Sequence, residues 1–126
     1  NDYEFGLISK KTGWSLDQIL GHVKVLVVTR GKHGADLYMG GESVHIPTVP
    51  EKGIVDPTGV GDAFRGGVLA GYSRGLDWKL CGEIGSLAAV YCLEQKGTQS
   101  HSYSRKEFVE RFRKHFEDEG KLDSLL

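Results

Sequence analysis

The sequence has little cysteine, proline or methionine: two, three and one among 126 residues. Cys81 and Cys92 fall eleven positions apart within one helical pattern. That spacing is roughly 16 Å along a helix axis, which is too far for a disulfide. The sequence therefore predicts two buried, reduced thiols, as is typical of a cytoplasmic protein.

Long apolar runs and an excess of one charge are also lacking. The longest apolar run, 25–28, is flanked by Lys24 and Arg30 and is far shorter than the ~20 residues that cross a bilayer. The formal net charge of −1 provides no general attraction for nucleic acid or anionic lipid. We therefore expect no nucleic-acid or membrane partner, and any nucleotide must be bound by a local site.

The beginning of the chain has none of the features of a secretory signal. It starts at Asn1 without an initiator Met, and neither a basic region nor an apolar stretch follows. We therefore expect no signal peptide and expect that a segment precedes Asn1.

What the chain does contain is typical of one globular domain of mixed secondary structure, with 39% hydrophobic and 26% charged residues. A β-branched run without polar alternation predicts a strand buried on both faces, and a Gly-Gly pair between two alternating segments predicts a hairpin. Capping-box spacings predict helix starts. The predicted strands are 24–29, 35–39 and 42–46, and the predicted helices are 2–11, 15–20, 62–73, 77–95 and one from Ser104 that carries Phe108, Val109, Phe112 and Phe116 on one face.

The most informative segment is the glycine-rich turn Asp-Pro-Thr-Gly-Val-Gly-Asp-Ala-Phe at 56–64. A glycine turn that opens a helix presents unpaired backbone N–H groups at the positive helix end, which suits an anion. The Walker pattern fails because Asp62 stands where Lys is required. The dinucleotide fingerprint fails because Phe64 stands where Gly is required.

A carboxylate at this turn would repel a phosphate that was only being bound. Asp62 makes chemical sense if it accepts the proton of a hydroxyl that attacks phosphorus, while the N–H groups of residues 59–61 stabilise the transferred group. On chemistry alone, the alternative that Asp62 merely caps the helix stays open, because Asp is a common cap.

The helix that follows carries small residues at helical spacing. Since each glycine inside a helix costs roughly 1 kcal/mol relative to alanine, we expect these positions to let the helix lie close to a neighbour. They are Ala63, Gly66, Gly67, Ala70 and Gly71.

Four segments, in order, resemble motifs of the ribokinase (PfkB) family. DPTGVGDAFRGG at 56–67 resembles the second family signature, and NDYE at 1–4 resembles its N-x-x-E motif. VVTRGKHGA at 27–35 is similar to the strand and loop along the ATP phosphates. AAVYCLEQKGTQ at 88–99 is similar to the helix and loop near the adenine. The residues of these segments are most similar to those of bacterial adenosine kinase-like members.

This resemblance implies a fold and a set of roles. The fold would be the C-terminal part of a three-layer α/β/α structure with a mainly parallel sheet and a β-hairpin. Asp62 would be the catalytic base, and Gly59, Val60 and Gly61 would form the anion hole. The residues implied to bind MgATP are Asn1, Glu4, Thr29, Arg30, Gly31, Gly34, Ser86 and Ala89, and those implied at a K⁺ site are Asp56, Thr58, Gln95 and Gly97.

Ordinary structural roles compete with several of these assignments. Arg30, Lys32 and His33 lie on a basic loop that is equally consistent with a solvated surface. Ser86 and Ala89 share a helix face that ordinary core packing would also explain. The remaining histidines have no metal-ligand spacing with one another or with the cysteines; they are His22, His45, His101 and His115.

The activity implied is ATP-dependent transfer of a phosphoryl group to the hydroxymethyl of a nucleoside or sugar, with adenosine favoured. Another sugar kinase of the family, for ribose or fructose phosphate, and a non-catalytic nucleotide-binding fragment remain as alternatives. Family members are normally about twice this length or more, so residues 1–126 would be the nucleotide-binding and catalytic part without the acceptor-binding part and its lid. Either that part or a second copy of the chain is the expected protein partner.

Overall fold

The computed structural model describes all 126 residues as two compact units, Asn1–Thr48 and Val49–Leu126. It contains helices and a sheet, so the predicted α/β class is confirmed. No helix is long and apolar enough to cross a membrane.

The first unit begins with two capped helices. Helix α1 spans Asp2–Thr12 and ends at Gly13, which adopts a left-handed φ of 71°. Helix α2 spans Leu16–Leu20, and Ser15 and Gln18 form the capping box that the sequence predicted. Both helices therefore confirm the sequence-based boundaries to within a residue.

The sheet of the first unit has three strands in the order β1-β2-β3. They are β1 (Val25–Thr29), β2 (Ala35–Met39) and β3 (Glu42–Ile46). Gly40 and Gly41, between β2 and β3, both have positive φ, 55° and 83°. A two-residue hairpin turn of the favoured type needs positive φ at both positions, which glycine adopts readily. The predicted hairpin is therefore confirmed, and the Gly-Gly pair is explained by the turn.

Two expectations about the sheet are not met. All three strands are antiparallel, because the connections 30–34 and 40–41 are far too short for the crossover that parallel neighbours require. The mainly parallel sheet is therefore not found among these strands. In β1 only Val28 is buried, at 2% exposure, and the other four residues are partly exposed, so the strand is not buried on both faces.

The second unit is helical. It contains α3 (Val60–Tyr72), α4 (Trp78–Leu93) and α5 (Arg105–Phe112), with a short 3₁₀ turn at Asp123–Leu125. Helix α3 starts two residues earlier than predicted, and α5 ends before Phe116, which lies in the next turn with its ring 5.1 Å from that of Phe112. The core of this unit is formed by Val49, Leu80, Ile84, Leu87, Ala88, Val90, Phe108, Val109, Phe112 and Leu122.

Helices α3 and α4 approach each other through glycine. A Cβ atom on Gly67 would lie 2.7 Å from the Cα atom of Gly85, and one on Gly71 would lie 3.0 Å from the Cys81 sulfur. The predicted close approach is therefore confirmed at Gly67 and Gly71. It is not the reason for Gly66, because a Cβ there would meet nothing within 4 Å.

Both cysteines are free and buried, as predicted. Burial raises the pKa of the Cys81 thiol to about 11, and burial also raises the pKa of the Cys92 thiol. Neither thiol is therefore activated as a nucleophile at neutral pH.

A buried ion pair fastens α5 to the end of α4. Arg111 donates to both carboxylate oxygens of Glu94, at 2.8 and 2.6 Å, and both side chains are about nine-tenths buried. The Glu94 carboxylate also accepts the backbone N–H of Lys52 at 2.7 Å, and the Arg111 guanidinium lies 4.7 Å from the centre of the Tyr91 ring. This network joins three segments of the second unit.

The buried carboxylate of Asp118 predicts an acid-sensitive step in stability. Arg113 donates to both of its oxygens, at 3.0 and 2.8 Å, and lowers the pKa of Asp118 to about 2. A depressed folded-state pKa stabilises the fold above the ordinary carboxyl value and loses that contribution as the pH falls. We expect the free energy of unfolding to fall by up to about 2 kcal/mol from this group between about pH 4 and pH 2.

Urea unfolding of the chain at a series of pH values measures this effect. Asp118→Asn should remove that part of the pH dependence, whereas Glu110→Gln, which alters an exposed pair with Lys106 at 3.9 Å, should preserve it. An unchanged acid profile in Asp118→Asn would contradict the assignment.

Candidate functional site

The glycine turn before α3 is built by a left-handed residue. Gly59 caps the helix with φ 83° and without any side-chain hydrogen bond. A Cβ at this position would lie 2.9 Å from Cγ2 of Thr98. Glycine is therefore required at position 59 both by its backbone conformation and by its neighbour.

The first backbone N–H groups of α3 are open. Val60 makes only a long hydrogen bond, 3.4 Å, to the carbonyl oxygen of Pro57. The N–H groups of Gly59, Gly61 and Asp62 have no acceptor in the protein. A Cβ on Gly61 would meet nothing within 4 Å, so open space adjoins these donors. The arrangement suits an anion, because the positive end of the helix macrodipole coincides with unpaired donors.

Asp62 lies in the first turn of α3 with its side chain 81% exposed. It accepts no backbone N–H of its own helix, so the alternative that it serves as the helix cap is not what the structure shows. Its partner is Arg65, whose Nη1 lies 2.6 Å from Oδ1 of Asp62. The carboxylate therefore belongs to the same helical turn as the open N–H groups, pairs with Arg65, and is largely exposed to solvent.

The segment before the turn is tied to the end of α4. Asp56 accepts the N–H of Thr58 at 2.9 Å through Oδ1 and the N–H of Gly97 at 2.9 Å through Oδ2. The Cys92 thiol lies 3.5 Å from the carbonyl oxygen of Thr58 and 3.9 Å from that of Thr98. Cys92 therefore lies between the segment that contains Thr58 and the loop that contains Thr98, next to the glycine turn before α3.

These contacts bring most of the residues expected at a K⁺ site into one region. Hydrogen bonds from Thr58 and from the Gly97 backbone keep the pKa of Asp56 below its ordinary value, so Asp56 is charged at neutral pH. Gln95 lies on the loop after α4 that also contains Gly97, and its N–H donates to the carbonyl oxygen of Cys92 at 3.2 Å. An ionised carboxylate beside loop carbonyls is a donor set that a hard cation accepts. No group of three or more His, Cys, Asp or Glu side chains is arranged to hold a metal ion.

Asn1 and Glu4, expected near the phosphates, form the capping box of α1. Asn1 accepts the N–H of Glu4 at 2.8 Å, and the Glu4 carboxylate accepts from the backbone nitrogen of Asn1 at 2.5 Å. Both side chains are about half exposed. In this structure the two residues of the N-x-x-E motif are engaged with each other.

The loop after β1 holds the remaining first-unit candidates. Arg30 contacts Asp36 at 2.5 Å, and Asp36 is also 2.7 Å from Nδ1 of His45. Hydrogen bonds from His45 and then from Arg30 lower the pKa of Asp36. Arg30 is therefore held back on the hairpin rather than extended from the loop.

Thr29 ends β1 opposite Ala35, and both glycines of the loop have positive φ. Gly31 has φ 55° and open space around its Cα atom, whereas a Cβ on Gly34 would lie within van der Waals overlap of the Ile46 carbonyl. The structure thus explains Gly34 by packing within the hairpin. The lack of contacts at Gly31 leaves room for a ligand there.

Ser86 and Ala89 lie on α4. Ser86 is buried, at 6% exposure, and Ala89 is partly exposed. Of these two predicted nucleotide contacts, only Ala89 has a surface that a ligand could reach.

The predicted site residues thus fall into separate groups. The second unit brings together the glycine turn, Asp62 and the Asp56 loop, while the predicted phosphate and ribose contacts belong to the first unit. Sequence reasoning missed Arg65 and Asp36 as partners of site residues. The Arg65 contact could have been predicted from the sequence, because Arg65 lies three positions after Asp62 on the same helix. The Asp36 contact could not, because it depends on the register of the hairpin.

Comparisons with known proteins identify the family of the chain. The profile described as pfkB family carbohydrate kinase matches residues 1–105. A nucleoside kinase of Methanocaldococcus jannaschii is 36% identical over 115 residues, which cover 91% of this chain and 38% of that protein. A cytidine kinase of Thermococcus kodakarensis is 47% identical over 79 residues, which cover 61% of this chain and 28% of that protein.

A solved structure is also similar. The nucleoside kinase of Burkholderia thailandensis in complex with inosine matches with a TM-score of 0.90 and 42% identity, over 92% of this chain and 39% of that one. The chain thus spans less than two fifths of the length of these relatives. Because the family profile and these relatives match most of its residues, the chain belongs to the pfkB family of carbohydrate kinases.

Proposed function

We propose that the natural protein containing this chain transfers the γ-phosphoryl group of ATP to a hydroxymethyl group of a nucleoside. The observation that carries the proposal is the exposed carboxylate of Asp62 beside open N–H groups at the start of α3. A binding site for phosphate alone has no use for a carboxylate there, whereas a phosphoryl-transfer site needs a proton acceptor.

The proposed reaction is a single displacement at phosphorus. Asp62 accepts the proton of the acceptor hydroxyl as its oxygen forms a bond to the γ-phosphorus. The bond between that phosphorus and the β,γ-bridging oxygen breaks, and ADP leaves with the electron pair. The N–H groups of Gly59, Val60 and Gly61 stabilise the negative charge on the transferred group.

We assign phosphate and ribose contacts to Asn1, Glu4, Thr29, Arg30, Gly31 and Gly34, and an adenine contact to Ala89, with the buried Ser86 behind it on the same helix. Mg²⁺ supplies charge neutralisation for the phosphates when bound, and since no cluster of protein carboxylates is arranged for it, the phosphates and water would be its main ligands. We assign K⁺ to the loop carbonyls around Asp56, Thr58, Gln95 and Gly97, where it would support the anion-binding turn.

A nucleoside acceptor is favoured over a sugar because several of the relatives are named nucleoside or cytidine kinases. Relatives named as an acarbose phosphotransferase and a 6-phosphofructokinase also match, at 31% and 35% identity, and they keep a sugar acceptor as the second candidate. Adenosine is one nucleoside within the proposed class.

A panel of acceptors tests the proposal. We expect the natural protein with MgATP to form ADP at a higher kcat/KM with inosine, adenosine or cytidine than with ribose or fructose 6-phosphate. Coupled ADP release and identification of the phosphorylated product measure this. Faster turnover of a sugar would select the sugar-kinase alternative, and ATP binding without turnover of any alcohol would select a non-catalytic nucleotide-binding role.

A further inference from the structure

Three helices of this chain share a way of closing their N-termini. In α2 and α5, the side chain of the third helical residue reaches back and accepts the backbone N–H of the N-cap residue, at 2.9 and 2.7 Å; in α1, the third residue accepts from the ammonium of Asn1. This capping box pairs a donor that the helix itself cannot pair. The pairs are Glu4 with Asn1, Gln18 with Ser15, and Glu107 with Ser104.

Helix α3 departs from this arrangement. Its third residue is Asp62 and its N-cap is Gly59, yet the Asp62 carboxylate does not accept the Gly59 N–H. The carboxylate is instead drawn forward along the helix by Arg65. At the helix N-terminus that we propose receives an anion, the acidic third residue is thus paired with a cation one turn ahead and does not cap the helix.

The contact engages a single oxygen. Nη1 of Arg65 donates to Oδ1 of Asp62 at 2.6 Å, and no protein donor contacts Oδ2. On the same exposed face, Gly61 and Gly66 have no side chain that could hold Asp62 and no neighbour within 4 Å of a Cβ. Arg65 is therefore the one side chain of α3 that restrains the direction of the carboxylate.

Without Arg65, the positive end of the helix attracts the carboxylate back towards its own N–H groups. A self-capped Asp62 would occupy the donors intended for the phosphoryl group, and it would lose a lone pair needed for the acceptor proton. We propose that Arg65 is a positioning residue that holds Asp62 away from the α3 N-terminus and keeps the anion-binding turn open. The expected fall in kcat rests on the proposed phosphoryl transfer. The expected movement of the Asp62 carboxylate does not.

Kinetics of the natural protein test the consequence. Arg65→Ala is expected to lower kcat about tenfold or more, since both the base and the anion donors are disturbed, while KM for ATP changes less than about twofold. Arg65→Lys should recover a large part of the loss. In an Asp62→Ala background, which has no side-chain acceptor that could cap the helix, Arg65→Ala should cause no further decrease. Arg74→Ala, an exposed arginine two residues beyond the C-terminal end of the same helix, is the matched control and should keep the wild-type rate.

The structural consequence has a readout besides activity. In Arg65→Ala, the Gly59 amide proton is expected to move downfield in the NMR spectrum as it pairs with the carboxylate, and this shift should be absent in Arg65→Ala/Asp62→Ala. An unmoved Gly59 amide together with unchanged kcat would overturn the positioning role and leave the kinase proposal intact. A downfield amide in a protein that phosphorylates no alcohol would support the positioning role while the proposed function fails. A loss of kcat that is equal in both backgrounds would overturn the inference, because Arg65 would then act independently of Asp62.

Discussion

Asp62→Asn is expected to lower kcat of the natural protein by about three orders of magnitude, within the range for removing a general base. Asparagine is nearly isosteric with aspartate and can still accept the hydrogen bond from Arg65, so the helix start should keep its geometry. It cannot accept the proton of the attacking hydroxyl. Steady-state rates with MgATP and the preferred acceptor, together with the Kd for ATP from calorimetry, separate loss of chemistry from loss of binding.

The matched control for this substitution is Asp17→Asn. Asp17 is likewise an exposed acidic residue in the first turn of a helix, α2, and it is not placed at the anion-binding turn. We expect its substitution to leave kcat unchanged. A variant Asp62→Asn that retains more than a tenth of the wild-type kcat would exclude Asp62 as the base.

Gly67→Ala is expected to destabilise the second unit by about 3 kcal/mol or more, at the upper end of the cost of overpacking a core. The added Cβ would lie 2.7 Å from the Cα and 3.0 Å from the backbone nitrogen of Gly85. Both obstructing atoms belong to the main chain, so no side-chain rotation can relieve the overlap, and α3 and α4 must separate. Urea unfolding followed by circular dichroism measures the change.

Gly66→Ala supplies the matched control on the same helix. A Cβ at position 66 would meet nothing within 4 Å, and alanine is favoured over glycine in a helix by up to about 1 kcal/mol. We therefore expect this chain to gain stability from the substitution. If both variants of the chain lost equal stability, helix propensity and close packing would both be wrong as explanations.

Short-range patterns were sufficient for most element boundaries. Ser15 and Gln18 predicted the start of α2, and Gly40-Gly41 predicted the hairpin turn, because a capping box or a two-residue turn is decided by residues within four positions. The start of α3 was placed two residues late. Its N-cap is Gly59, which acts through its left-handed backbone and has no polar side chain to reveal it.

The direction of the sheet and the burial of β1 required the assembled fold. The run 25–28 has the composition of a strand buried on both faces, but β-branched residues also suit a half-exposed pleated surface. Likewise, the sequence marked Gly66, Gly67 and Gly71 as equivalent small residues. Which of them α4 touches depends on the rotation of α3 about its axis, and this is set by residues of α4 far along the chain.

The glycine-rich turn with its aspartate was recognisable by itself, because an anion hole is made from consecutive backbone N–H groups and needs only a local sequence. The sequence alone therefore determined where phosphoryl chemistry is expected and which carboxylate is the candidate base. Tertiary structure decided the rest of the site. The 41-residue separation between Asp56 and Gly97 and the contacts of Cys92 with two loops arise from packing, and only the folded helix shows that Asp62 is drawn towards Arg65 and away from its own N–H groups.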